Sequence, residues 1–141
     1  QIKQGPAGTQ PWPVQLSGTK HQVVPLLDAI EISPGSTLTA LNLERVPDGV
    51  LAVGLFVRRN AQTKMAATLR WTNNSAGWSA SSGLSFYYEI SGSQITVIHP
   101  RMADLLNVRV SNLNETNSYN FTAWLVYYYA PVPYFSNLEA F

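Results

Sequence analysis

The placement of proline at the two ends of the chain constrains the fold more than any other feature. Five of the nine prolines lie near the ends, in two segments that also carry aromatic residues. Because proline lacks the donor that a β ladder needs and fixes its own φ angle, these segments are poor candidates for strands. They are also too apolar for ordinary solvated tails. The sequence therefore predicts an N-terminal arm (residues 1–13) and a C-terminal arm (residues 130–141) flanking a domain over residues 14–129.

The domain between the arms has the pattern of an all-β protein. Its apolar residues alternate with polar ones or form short blocks, and turn residues separate the blocks. At 141 residues the chain is long enough for one well-buried core and too short for two ordinary domains. We therefore predict a single antiparallel β-sandwich or small barrel, jelly-roll-like, with about eight strands.

Several elements are predicted individually. Val50–Arg58 is apolar on both faces and predicts a central strand, and Leu84–Ile90 with Gln94–His99 predicts a hairpin that turns at residues 91–93. Tyr119–Tyr129 is the longest β-like run, and its three successive tyrosines place rings on both faces, so this strand is either central or covered by a partner. The shorter predictions are a strand at Val14–Leu16, an edge strand at His21–Leu27, turns at Ser33–Ser36 and Pro47–Gly49, and a helical turn within His99–Asp104.

Charge and composition argue against several classes of partner. Charged residues make up 12% of the chain and the net charge is +1, so no field steers the protein toward nucleic acid or an anionic membrane. No apolar run approaches the roughly 20 residues that span a bilayer. The absence of cysteine leaves packing and strand pairing to hold the fold. We expect neither a nucleic-acid nor a membrane partner.

No motif in the sequence predicts a reaction. His21 and His99 are far apart, and no local pattern supplies the further ligands of a metal site. Neither a nucleophile elbow around a serine nor a glycine-rich phosphate loop occurs. The expectation is a protein without enzymatic activity, cofactor or metal.

Two tryptophans are candidates for glycan binding. Trp71 and Trp78 flank a loop, and exposed rings in such a place stack on sugar faces. The alternative is that such rings fill the interior of the sandwich. A basic cluster of Arg58, Arg59 and Lys64 also has two interpretations, a solvated loop or a contact to an acidic neighbour.

The net free energy of ordering the C-terminal arm on an isolated subunit is predicted to be close to zero. Burying its five large apolar residues contributes roughly 2 kcal/mol each, about 10 kcal/mol in all. Ordering twelve residues of backbone costs on the order of 12 kcal/mol, a cost that the prolines reduce. We therefore expect the arm to gain order on a neighbouring molecule. The predicted partner-binding residues of the two arms are Trp12, Tyr134, Phe135 and Phe141.

The opening of the chain carries a resemblance. Residues 5–18, GPAGTQPWPVQLSG, resemble the opening of small structural proteins of tailed-bacteriophage virions, and the cysteine-free β domain with extended ends is similar in kind to capsid decoration (cement) proteins. The resemblance implies a location on the capsid surface after assembly in the host cytoplasm. It further implies the major capsid protein and copies of the same chain as partners.

These observations lead to one expected function and one alternative. The expected function is non-enzymatic capsid decoration, in which a homotrimer bridges neighbouring subunits through its arms. The alternative is a carbohydrate-binding or host-recognition module of a phage tail or fibre, with Trp71 and Trp78 as its glycan-binding residues.

Overall fold

The structure is a computed structural model that describes residues 20–73 and 83–129. These residues form six strands and no helix, so none of their segments is a helix that could span a membrane. The all-β prediction is confirmed. The strands are β1 (Lys20–Ile32), β2 (Thr37–Arg45), β3 (Val50–Thr72), β4 (Leu84–Pro100), β5 (Leu105–Asn112) and β6 (Tyr119–Tyr129).

The long strand β3 organises a single antiparallel sheet. One edge of β3 pairs with β4 along almost its whole length, while the other edge pairs first with β6 and then with β5. The outermost strands β1 and β2 pair with β6 and β5, respectively. The prediction that Val50–Arg58 is central is therefore confirmed, and β6 is also internal, between β1 and β3.

A bend divides the sheet into two halves. Residues 59–62 of β3 lie opposite Ser93 of β4, because Arg58 pairs with Gln94 and Thr63 pairs with Gly92. Extra residues on one strand of a pair bend it and increase its twist. We call the part built on β1, β6 and the adjoining ends of β3 and β4 the β1 half, and the part built on β2, β5 and the opposite ends of β3 and β4 the β2 half.

Arg59 fastens this bend from the inside. Its side chain is buried, and its guanidinium donates hydrogen bonds to the backbone carbonyls of Lys64 (2.9 Å) and Gly92. The ring of Tyr119 lies 5.8 Å from the guanidinium carbon. Because the two carbonyls belong to β3 and β4 just beyond the bend, the side chain ties both strands together where the halves meet.

The inner faces of the two halves share one hydrophobic core. Val53, Leu55 and Val57 from the β1 half belong to the same buried cluster as Leu69 and Trp71 from the β2 half. A sheet that curls over one core in this way is the predicted sandwich-like or barrel-like arrangement, in the form of a half-barrel.

Two predicted turns are confirmed. The amide of Ser36 donates to the carbonyl of Ser33 across a turn whose Gly35 has a φ of 70°. Val50 donates to Pro47 in the second turn, where Gly49 has a φ of 89°. Glycine reaches this left-handed region without the cost that a Cβ imposes.

Three sequence predictions about the elements are wrong. The hairpin at residues 91–93 does not form, because β4 continues through these residues and pairs with the equally continuous β3. Residues 101–104 contain no helical turn. The described residues hold six strands rather than about eight: β4 spans both strands of the predicted hairpin, and β3 continues to Thr72, beyond the predicted end of its strand at Arg58. The predicted strand Val14–Leu16 lies outside the described residues.

The edge strand β1 begins where β6 ends. Pro25 lies in β1, which confirms the prediction of an edge strand there, and register shifts on both sides of Leu27 relieve the strict ladder. At the end of this pair, Lys20 lies opposite Tyr129. The chain therefore enters β1 after residue 19 and leaves β6 before residue 130 at two directly paired positions, Lys20 and Tyr129.

Candidate functional site

The outer surface of the β1 half carries three rows of side chains across four strands. The pairing register aligns each row, and alternation along the strands turns these residues away from the core. We call this surface the apolar outer face. Its rows, from β1 to β4, are His21, Tyr128, Ala52, Pro100; Val23, Val126, Gly54, Ile98; and Pro25, Trp124, Phe56, Thr96.

Gly54 allows aromatic rings to cover the middle of this face. A Cβ at Gly54 would lie 2.9 Å from the ring of Phe56 and 3.2 Å from the ring of Tyr128. Both distances are shorter than ordinary van der Waals contact, so a side chain here would displace the rings. Glycine in a strand interior is otherwise unfavourable, and close approach by neighbouring groups is a recurrent reason for it.

The rings continue as a ladder toward the bend. Phe56 and Trp124 stack with their centroids 6.1 Å apart and an interplanar angle of 16°. The guanidinium carbon of Arg58 lies 5.4 Å from the centroid of Trp124, within the range of a cation–π contact. At the opposite end, the rings of His21 and Tyr128 are 6.4 Å apart. The face is thus lined with aromatic groups along most of its length.

Two shallow pockets flank Arg58. The first has a volume of about 150 Å³ and is lined by Phe56, Trp124, Gln94 and Thr96 in addition to Arg58. The second has a volume of about 250 Å³ and is bordered by the side of Arg58 that faces β1 and β6, with Ala29, Arg59, Asn60, Asn120 and Thr122 as the other lining residues. Both volumes are below the roughly 300 Å³ at which typical small-molecule sites begin. Each suits a protruding side chain better than a cofactor.

Large apolar side chains of this face are open to solvent. Val23 is 55% exposed and Ile98 is 43% exposed, while Phe56, Trp124 and Tyr128 are half-buried. Burial raises the pKa of the Tyr128 hydroxyl above its ordinary value of 10.0, so the phenol is neutral at physiological pH. The face therefore presents rings and aliphatic groups, with Arg58 as a charged group at its border.

The outer surface of the β2 half has the opposite chemistry. Its rows contain hydroxyl groups and charges, and we call it the polar outer face. The hydroxyls of Thr37 and Ser111 are 2.8 Å apart, and the hydroxyl of Tyr87 donates to Glu89 at 3.0 Å. The members of this face include Thr37, Thr39, Ala66, Thr68, Arg70, Ser85, Tyr87, Glu89, Arg109 and Ser111.

The structure places Trp71 in the core. Its side chain is 1% exposed, and the ring of His99 lies 6.1 Å away. A buried ring cannot stack on a sugar, so the interior interpretation of Trp71 is correct and the glycan-binding one is wrong. Trp78 lies outside the described residues. Trp12, Tyr134, Phe135 and Phe141, the predicted partner-binding residues, also lie outside them.

The basic cluster divides into three separate roles. Arg59 is buried and stabilises the bend through its hydrogen bonds. Arg58 lies over the ring of Trp124, and Lys64 forms an exposed ion pair with Glu89 at 3.9 Å. Neither predicted interpretation describes Arg59, because its partners are backbone carbonyls. Burial lowers the pKa of its guanidinium, which nevertheless stays charged.

Across residues 20–73 and 83–129, the structure brings together no group of three histidine, aspartate or glutamate side chains that could hold a metal ion. His21 lies on the apolar outer face. His99 is buried, and its ring is 4.2 Å from that of Phe86. The two histidines are therefore placed on opposite sides of the sheet.

Sequence reasoning missed the apolar outer face. Phe56 and Trp124 were assigned only to strands, and the exposure of Val23 and Ile98 was not predicted. A signal was present in Ala52–Phe56 and Trp124–Tyr128, where every second residue is aromatic or apolar on the side away from the core. It was masked because the intervening residues are also apolar.

Comparisons with known proteins give only distant similarity. No protein-family model matches the chain, and no curated protein matches it. Solved structures with a similar arrangement include PirA (12% identity, TM-score 0.45, 82% of this chain and 96% of that chain) and infectious bursal disease virus Gx strain (11%, 0.46, 80% and 32%). A third is the cyanophage Pam1 capsid asymmetric unit (15%, 0.33, 90% and 97%). At such identities and TM-scores the similarity carries no argument about function, so function is argued from the geometry of the chain itself.

Proposed function

We propose that this chain is a non-enzymatic structural protein of a virion, which decorates a capsid and fastens neighbouring subunits through its terminal arms. The observation that supports this proposal best is the pairing of Lys20 with Tyr129. Lys20 and Tyr129 lie opposite each other at one end of the β1 half, so residues 1–19 join β1, and residues 130–141 leave β6, at adjacent positions. A neighbour at this end would be within reach of two apolar, proline-bearing segments at once.

The described domain suits a structural role. Its long strands share one core, and the bend that joins its halves is fastened by buried hydrogen bonds of Arg59. The apolar outer face, which begins beside the paired ends of β1 and β6, is a surface of the kind that soluble proteins use for contact with other proteins. The proposed partners are the major capsid protein and further copies of the chain, with a homotrimer as the assembly.

The proposal is tested on purified virus particles. Particles are separated on a density gradient, and their proteins are quantified by mass spectrometry for the intact chain and for a variant that ends at Tyr129. We expect the intact chain in the particle fraction in an amount comparable with the shell protein. The shortened chain is expected to stay folded, as judged by circular dichroism, and to be lost from the particles.

Two results would contradict the proposal. One is an intact chain that is abundant in the lysate and missing from particles. The other is a chain lacking residues 130–141 that enters particles as well as the intact chain does. Specific binding of soluble oligosaccharides, together with a location in the tail or fibre, would support the alternative function instead.

A further inference from the structure

We infer that the apolar outer face receives residues 130–141 of a neighbouring copy of this chain. The inference rests on the proposed function and names the surface on which the C-terminal arm would dock. It combines three observations: the size of the face, the direction in which the chain leaves β6, and the charges of the two terminal segments.

The size of the face favours a short segment as its occupant. Four strands spaced by about 4.8 Å and five residues of strand length give a footprint of about 14 by 17 Å, or about 240 Å². Monomeric proteins expose apolar patches of a few hundred Å² at most, and the largest of these are often functional, so a footprint of this size suits a small occupant. It is well below the roughly 800 Å² that each partner buries in a standard stable interface, so two such faces packed together would form a weak dimer.

The direction of β6 favours a neighbouring copy over the same copy. β6 runs from Tyr119 to Tyr129, so the chain leaves the sheet at the end where Tyr128 closes the face. Ala130 and Val132 each precede a proline, and residues before proline favour extended backbone. At Tyr129 the direction of β6 points away from the rest of its own face, so a segment that continued this direction would meet a neighbouring molecule. Twelve residues reach at most about 40 Å, more than twice the length of the face.

The charges distinguish the C-terminal segment from the N-terminal one. Residues 130–141 contain a single charged side chain, Glu139, while residues 1–19 contain a single one, Lys3. Arg58 lies at the border of the face beside the pocket of about 150 Å³. An acidic segment complements this cation, and a basic one opposes it. The same segment supplies Tyr134 and Phe135 for the pocket and the exposed aliphatic groups.

The absence of cysteine makes the test direct. One preparation carries Ile98→Cys, on the apolar outer face, and a second, with a size tag, carries Phe135→Cys. The two are mixed under mild oxidation, and disulfide-linked products are separated by mass. The matched control replaces Ile98→Cys with Tyr87→Cys, which lies on the same strand β4 but on the polar outer face and is 57% exposed. We expect at least tenfold more mixed product with Ile98→Cys than with the control.

A second measurement introduces a positive charge on the apolar outer face of the otherwise intact chain. Ile98→Lys is expected to weaken self-association by about tenfold in sedimentation velocity, while Tyr87→Lys leaves it unchanged. Both positions are exposed, so neither substitution is expected to alter the unfolding transition. Removal of residues 130–141 is expected to weaken self-association at least as much as Ile98→Lys.

Other occupants give different results, each of which would overturn the inference. A cross-link confined to single chains that carry both Ile98→Cys and Phe135→Cys would place the segment on its own face. Self-association that survives removal of residues 130–141 but is weakened by Ile98→Lys would place a second face there. Binding of soluble oligosaccharides that is lost in Trp124→Ala would make the face a glycan site. Absence of the mixed product at the solubility limit would also overturn it.

Failure of the inference is distinguishable from failure of the proposed function. If the chain enters particles only with residues 130–141 but shows no cross-link at Ile98, the decoration role stands and the receiving surface lies elsewhere. If the mixed cross-link forms while residues 130–141 are dispensable for entry into particles, the docking surface stands and the proposed role of the arm in the virion fails.

Discussion

The apolar and polar outer faces are built on the same two long strands, and they show how a bend separates two surface chemistries. On the β1 side of the bend, β3 and β4 contribute Phe56 and Ile98; on the β2 side, they contribute Thr68 and Tyr87. The inner residues of both halves are equally buried. Folding alone does not require the outer face of the β1 half to be apolar, because a core needs only one apolar face on each half of the sheet. This difference supports the inference that the apolar outer face receives another molecule.

The largest expected effect is a difference in stability between substitutions of Trp71 and of Trp124. Trp71→Ala is expected to reduce the free energy of unfolding by about 3–5 kcal/mol, because a fully buried ring leaves a cavity. Trp124→Ala, on the half-buried apolar outer face, is expected to cost only about 1 kcal/mol. Urea unfolding measures both. Equal losses would mean that the outer face is part of the folding core, and the contrast between the faces would fail.

The next effect concerns the residue that joins the two halves. Arg59→Ala is expected to cost about 2–3 kcal/mol, because it removes the charge-assisted hydrogen bonds to the carbonyls of Lys64 and Gly92. The carbonyl of Lys64 keeps the hydrogen bond that it accepts from the amide of Leu113 at 3.2 Å. The matched control is Arg58→Ala, whose exposed cation–π contact with Trp124 accounts for about 0.5 kcal/mol. Both are measured by urea unfolding. If the two variants are equally stable, the hydrogen bonds of Arg59 do not stabilise the bend.

The smallest effect is expected at alkaline pH. The pKa of Tyr128 in the folded state is raised by burial above the ordinary value of 10.0, so folding favours the protonated phenol. This contribution to stability is fully present below about pH 10 and is lost as the pH rises through the raised pKa. The free energy of unfolding, measured at several values above pH 10, should fall less steeply in Tyr128→Phe than in the unsubstituted chain. An identical slope in the two proteins would show that Tyr128 ionises equally easily in both states.

Sequence patterns predicted the class of fold and several elements correctly. Pro25 and the turns around Gly35 and Gly49 are local signals, and the backbone rules behind them act over a few residues. The hairpin prediction at residues 91–93 failed because small polar residues are equally compatible with a bulge between long strands. Whether such residues turn the chain depends on the partner strand, which is distant in sequence.

The candidate site was predicted less well than the fold. The burial of Trp71 and the exposure of Val23 depend on which side of each strand faces the core. A shift of the strand register by one residue would reverse both. Arg59 was grouped with Arg58 as a basic cluster, although neighbouring residues of a strand point to opposite faces. The docking role of the arms remains a prediction, since Trp12, Tyr134, Phe135 and Phe141 lie outside the described residues.

The pairing of Lys20 with Tyr129 determines how the domain would respond to mechanical tension. β6 is bonded on both sides, to β1 and to β3. Tension along β6 against the rest of the sheet is therefore resisted in shear, by many ladder bonds at the same time, whereas a pull that separates Lys20 from Tyr129 opens the β1–β6 ladder one bond after another from that end. Resistance to such a pull is set by the unfolding rate rather than by equilibrium stability. A load that pulls both terminal segments in the same direction would therefore be borne by the whole β1 half.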